Sequence, residues 1–147
     1  MRVMNKWTLI FGYAGTLPFI ACTLITLTIN NAQIGHIATF TQLSYAAMIL
    51  SFLGGVHWGQ ALQRDNAKQM AFAMLPSVAS LFIILYALMG DTNLALAMMA
   101  ALFWILYAGD RKLMPEDLVP KGYFTFRLTL TIIVSLSLFI PIVSTLL

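Results

Sequence analysis

The chain has 147 residues, 61% of them hydrophobic and only 9% charged, with a formal net charge of +3. Eight Lys or Arg and five Asp or Glu side chains cannot cover the surface of a small water-soluble globule, where about a quarter of residues are normally charged. That class is excluded. So are a disordered chain and, with Cys22 as the single cysteine, a scaffold stapled by internal disulfides.

Five stretches are long and apolar enough to cross a bilayer as helices of about 20 residues. The first, about 7–29 (WTLIFGYAGTLPFIACTLITLTI), contains the helix-bending residues Gly12, Gly15 and Pro18, and it sets Ala14, Pro18, Cys22 and Thr26 on one stripe. Its apolar run exceeds that of a secretory signal, so an uncleaved span is expected. A polar link without charges, 30–36, leads to the second span, about 40–62. The third, about 69–89, contains Pro76, which lacks a backbone donor and frees a carbonyl one turn earlier, near Phe72. Ser77 and Ser80 are placed to satisfy such groups. Gly90-Asp91-Thr92-Asn93 reads as a tight helical hairpin, with glycine ending one helix and Asp or Thr capping the next. The fourth span is about 93–109. The longest link, 110–122 (DRKLMPEDLVPKG), precedes the fifth span, about 123–146, which holds Thr125, Thr129, Ser135, Ser137 and Pro141.

Strands are excluded, because the runs do not alternate and an open sheet would leave unpaired edges in lipid. Five spans consume about 100 residues, so no separate water-soluble domain is expected. The predicted fold is all-α: a polytopic membrane protein, one integral domain over 1–147 with five transmembrane helices. With that count Arg2, Lys6, Arg64, Lys68, Arg111, Lys112 and Lys121 share one side, and Arg127 lies just inside the fifth span on the same side. The positive-inside rule then predicts a cytoplasmic N-terminus and a C-terminus on the opposite side. The basic charge is accounted for by topology, and no nucleic-acid partner is expected.

In the second span Ala47, Ser51, Gly55 and Gly59 recur every four residues and end in a GxxxG motif. Such a stripe lets a neighbouring backbone approach closely. His57 lies about 200° around the helix from Gly55, on a stripe with Leu53, Gln60 and Arg64. Polar groups facing lipid are expensive, so this helix is expected to pack on both faces at the centre of the bundle.

Asp91 reads as a helix cap. Asp110, by contrast, sits at the C-terminal end of a helix, where an anion opposes the dipole. Arg111 and Lys112 follow it, and Arg127 stands at a similar depth, placed either to pair with Asp110 or to reach the headgroups. Sorted by depth, Tyr13, His57, Trp58, Gln60, Asp110, Tyr123 and Arg127 fall in one leaflet. One reading is a structural hydrogen-bond network with an aromatic belt of Trp7, Trp58 and Tyr123. The other is a ligand site built from Tyr13, His57, Trp58, Gln60, Asp110 and Arg127. No metal site, cofactor or catalytic motif is expected: the pattern holds no HExxH, CxxC, phosphate-cradling glycine loop or GxSxG elbow.

The segment SFLGGVHWG (51–59), with GYAGTLPF (12–19), LPSVASL (75–81), YAGD (107–110) and YFTFRLTLT (123–131), resembles the integral-membrane family called domain of unknown function 3429, the transmembrane protein 69-like proteins. The resemblance covers nearly the whole chain. It implies a small multi-span protein of the bacterial inner membrane or the mitochondrial inner membrane, without an assigned reaction, and it carries over no site residues. Three functions compete. The first is a non-enzymatic accessory or assembly protein that packs against other membrane proteins or copies of itself. The second binds a quinone or phospholipid in the polar cluster. The third is a small transporter or channel, for which prolines breaking the spans are the usual pointer.

Overall fold

The computed structural model describes residues 3–116 and 119–146. Arg2, which the charge argument counts, lies outside them, as do Asp117 and Leu118 of the long link and Leu147. Six helices follow in order: α1 (Lys6–Ala14), α2 (Leu17–Thr28), α3 (Ala32–Arg64), α4 (Ala67–Met89), α5 (Thr92–Leu113) and α6 (Tyr123–Leu146). Among the described residues the only strand-like pairing is one isolated bridge between Val3 and Lys121. It fastens the N-terminal segment to the α5–α6 link. Taking α1 and α2 together, five helical segments are long and apolar enough to span a membrane.

The first span is not one rod. Pro18 has no N–H to donate to the carbonyl four residues earlier, and the helix stops at Ala14 and restarts at Leu17. The carbonyls at the break find other donors. The Tyr13 oxygen accepts from Thr16 N at 3.0 Å and Thr16 Oγ1 at 2.7 Å, and the Gly15 oxygen accepts from the Tyr45 hydroxyl on α3 at 3.0 Å. Pro76 and Pro141 lie inside continuous helices, so the break expected at Pro76 does not occur. Ser80 Oγ donates there to the carbonyls of Pro76 at 2.7 Å and Ser77 at 3.1 Å.

α3 begins eight residues before the expected span. Asn31 caps it, its side-chain oxygen accepting from Gln33 N at 3.0 Å and Ile34 N at 3.1 Å, and residues 32–36 of the expected polar link open the helix. Polarity marks where lipid burial ends; a helix ends only where capping or backbone geometry stops it. At 33 residues α3 is about 50 Å long, against a hydrocarbon core of about 30 Å. It turns sharply into α4 through Asp65 in the left-handed region (φ 51°) and Asn66, whose side chain caps α4. The α4–α5 hairpin is as short, with Asp91 Oδ1 accepting from Asn93 N at 2.8 Å.

The buried residues of α3 are Ala38, Gln42, Leu43, Ala46, Leu50, Gly54, His57 and Ala61, a stripe spaced three or four apart as one helical face demands. It packs with Phe19 of α2, Ile83 of α4, Leu96, Met99, Phe103 and Leu106 of α5, and Val134 and Leu138 of α6. The outer surface carries Phe11, Met48, Phe52, Phe82 and Leu88, all largely exposed, the inverse of a soluble fold. In lipid the hydrophobic effect does not press helices together, so close backbone approach and polar contacts hold the bundle. Gly54 supplies one such approach, since a Cβ there would run into the Ala73 carbonyl oxygen of α4.

Candidate functional site

Four helices bring polar side chains together at the end of the bundle that carries the basic residues. His57 comes from α3, Gln69 from the first turn of α4, Asp110 from the last turn of α5 and Arg127 from the first turns of α6. All four are buried, with relative exposures of 0%, 0%, 1% and 5% in that order. Asp110 is the hub. Its Oδ1 lies 2.8 Å from His57 Nε2, and its Oδ2 accepts from Arg127 Nε at 2.7 Å. Gln69 Nε2 lies 3.3 Å from His57 Nδ1 and donates to Gln60 Oε1 at 3.3 Å. The assignment that satisfies this chain has Gln69 donating to Nδ1, leaving Nε2–H of His57 to donate to Asp110.

Local packing aims these groups. Gly109 precedes Asp110, and a Cβ on it would collide with the Phe72 ring. Without that Cβ the ring seats against α5 and meets His57 edge-on, with centroids 5.2 Å apart. Next to Arg127, Phe126 packs over Gly12 of α1, which a side chain there would block, and Tyr13 meets the same ring edge-on at 5.5 Å. Arg111 turns away from Asp110 to lie 4.7 Å over the Phe124 ring.

The leaflet cluster divides. His57, Gln60, Asp110 and Arg127 join one network, whereas Trp58 and Tyr13, each 41% exposed, face outward. Of the six residues grouped as a ligand site, Tyr13 and Trp58 thus stand outside that network among the described residues. Trp58 is rotated about 100° from His57 and borders an open groove between α3 and α4 with Ser51, Gly55, Ala73, Met74 and Ser77.

The expected packing stripe is also turned. Ala47 and Ser51 are half-buried, but a Cβ at Gly55 or Gly59 meets nothing within 4 Å. Among the described residues, then, no helix covers that end of the stripe, and α3 is not packed on both faces there. Gly54, one residue away, is the glycine the fold uses.

Residue patterns alone did not single out Gln69, Phe72 or Gly109, nor a second polar clamp nearer the other end. There Gln42 Nε2 donates to Thr23 Oγ1 at 3.0 Å and the Ser137 carbonyl at 2.9 Å, while Thr23 Oγ1 donates to the same carbonyl at 2.8 Å. A glutamine inside a predicted span was the available signal, since such a group must find a partner. Among the described residues no three His, Cys, Asp or Glu side chains come together to hold a metal ion.

No solved structure matches the chain. It is similar to Transmembrane protein 69 of Xenopus tropicalis, 29% identical over 134 residues, covering 90% of this chain and 52% of that protein. It is also similar to Transmembrane protein 69 of Mus musculus, 36% identical over 75 residues, covering 51% of this chain and 30% of that protein. The chain thus spans about half, or less, of the curated relatives it matches. The family model described as "Protein of unknown function (DUF3429)" matches residues 4–143, and the chain belongs to that family of multi-pass membrane proteins.

Proposed function

We propose that this protein is a non-enzymatic accessory or assembly subunit that docks a transmembrane helix of another membrane protein on the outer face of α3 and α4. One observation carries the reading: Gly55 and Gly59 present bare backbone outward, and a Cβ on either would meet nothing within 4 Å among the described residues. Lipid gains nothing from glycine, whose backbone freedom costs a helix about 1 kcal/mol per residue relative to alanine. A neighbouring helix gains close approach. The polar centre supports the same reading, because both oxygens of Asp110 and both ring nitrogens of His57 are engaged inside the chain. There they clamp four helices. We further propose the inner membrane of a bacterium, or of a mitochondrion, with the basic face in the cytoplasm or its equivalent.

The test uses Gly55→Leu and Gly59→Leu, which have open space in the isolated chain. Each variant is expected to fold with the wild-type unfolding midpoint and to lose the membrane partner that co-purifies in mild detergent. A photo-crosslinker at Met74, across the groove, is expected to capture that partner. Capture of a second copy of the chain makes the partner a homo-oligomer. Isolation of wild type as a lone monomer, with no crosslink in native membranes, refutes the proposal.

A further inference from the structure

On the other side of α3, at the break in the first span, lies a cavity of about 130 Å³. Its walls include Phe11, Ile49, Leu53, Phe103, Leu130 and Val134. Gly12 and Gly15 also border it. Phe11 and Phe52 are 69% and 68% exposed and bring the cavity to the lipid-facing surface.

Two residues that line this cavity each carry a buried polar atom with no hydrogen-bond partner among the described residues. The atoms are Nη2 of Arg127 and Oγ1 of Thr131. The residues are 5% and 1% exposed and stand one helical turn apart on α6. A buried donor left unmade costs about 1–3 kcal/mol, and two beside one apolar cavity call for an acceptor.

The geometry points to a binding site for a neutral amphiphile that presents a carbonyl oxygen on an apolar body. The charge of Arg127 is already matched by Asp110 through Nε, so a second full anion would leave uncompensated negative charge in the protein interior. A carbonyl oxygen has two lone pairs and meets two donors without adding charge. The volume is close to that of an engineered apolar cavity of about 150 Å³ that takes up benzene, so it admits one ring or a short length of acyl chain. Two membrane components carry this chemistry: the ring carbonyl of a quinone and the acyl ester of a phospholipid. The site shares no wall with the Gly55–Gly59 face and stands independently of the docking proposal.

The test uses the full-length protein in nanodiscs, with decylubiquinone as the probe and bare nanodiscs as background. A parallel arm identifies phospholipid carried through purification by native mass spectrometry. The variants are Thr131→Val, which removes the hydroxyl and keeps the shape, and Leu130→Trp, which fills the cavity from a half-buried wall position. Saturable quinone binding by wild type, weakened about threefold to tenfold by T131V and abolished by L130W, supports the quinone source. Phospholipid retained by wild type and shed by both variants supports the ester source. Binding of probe or lipid unchanged in T131V and L130W, or no saturable binding of either by wild type, overturns the inference. Unfolding midpoints measured alongside separate lost binding from lost fold.

Discussion

Asp110→Asn isolates the charge of the polar centre from its hydrogen bonds. The amide keeps an oxygen for Arg127 Nε and turns its NH2 toward His57 Nε2. The ring then changes tautomer, Gln69 turns its Oε1, otherwise without a partner among the described residues, to accept from Nδ1–H, and the half-buried Gln60 amide turns with it to donate to the same oxygen. The hydrogen bonds are re-formed, but the guanidinium of Arg127, 5% exposed, has lost the carboxylate 2.7 Å away. Breaking a buried pair by removing one member costs about 3–5 kcal/mol, whereas one net hydrogen bond is worth about 0.5–1.5 kcal/mol. The size of the loss therefore distinguishes the two causes. Asp110→Asn is expected to lower unfolding free energy by about 3 kcal/mol or more, read from reversible unfolding in mixed micelles at rising SDS fraction. Arg127→Met keeps the stem and strands the Asp110 carboxylate, at a similar expected cost. The double variant leaves no unpaired charge and is expected to lose at least about 2 kcal/mol less than the sum of the singles. A loss below about 1 kcal/mol for Asp110→Asn, or strict additivity in the double, refutes the clamp.

Two smaller perturbations test the packing. Gly54→Ala drives a methyl into the Ala73 carbonyl and is expected to cost about 1–3 kcal/mol by overpacking, while Gly55→Ala, one residue away with nothing within 4 Å, is expected to be neutral or slightly stabilising in the same micelle assay. Tyr45→Phe removes the hydroxyl that donates to the Gly15 carbonyl; the expected cost is about 0.5–1.5 kcal/mol, with faster amide exchange confined to the α1–α2 junction.

Part of the polar centre is legible in the order of residues along the chain. Asp110 closes one span and Arg127 opens the next, so chain order alone sets them at one depth, where unpaired charges are costly. Gln69 also sits at that depth, but its rotation about α4 was only weakly marked, by Ser80 on the same buried face. The second span carries the same ambiguity. The four-residue spacing of Ala47, Ser51, Gly55 and Gly59 is a sound signature of close approach, yet the neighbour within this chain approaches at Gly54. One residue is about 100° of rotation, and that choice rests on where α4 crosses. The break in the first span was half visible: Pro18 announced it, but its shape depends on Tyr45, thirty positions from Gly15 in sequence.

What this sequence determined by itself is its solvent: too few charges for water, five runs long enough for lipid, and basic residues gathered at alternate links. Those follow from transfer energies that act residue by residue. The tertiary structure alone decided which side of each helix meets another, which glycines are used, and that His57, Gln69, Asp110 and Arg127 share one centre. The reason is physical. Within a bilayer the lipid-facing and protein-facing sides of a helix are nearly equally apolar, so hydrophobic periodicity says little about rotation, and backbone fit and the pairing of a few polar atoms settle it.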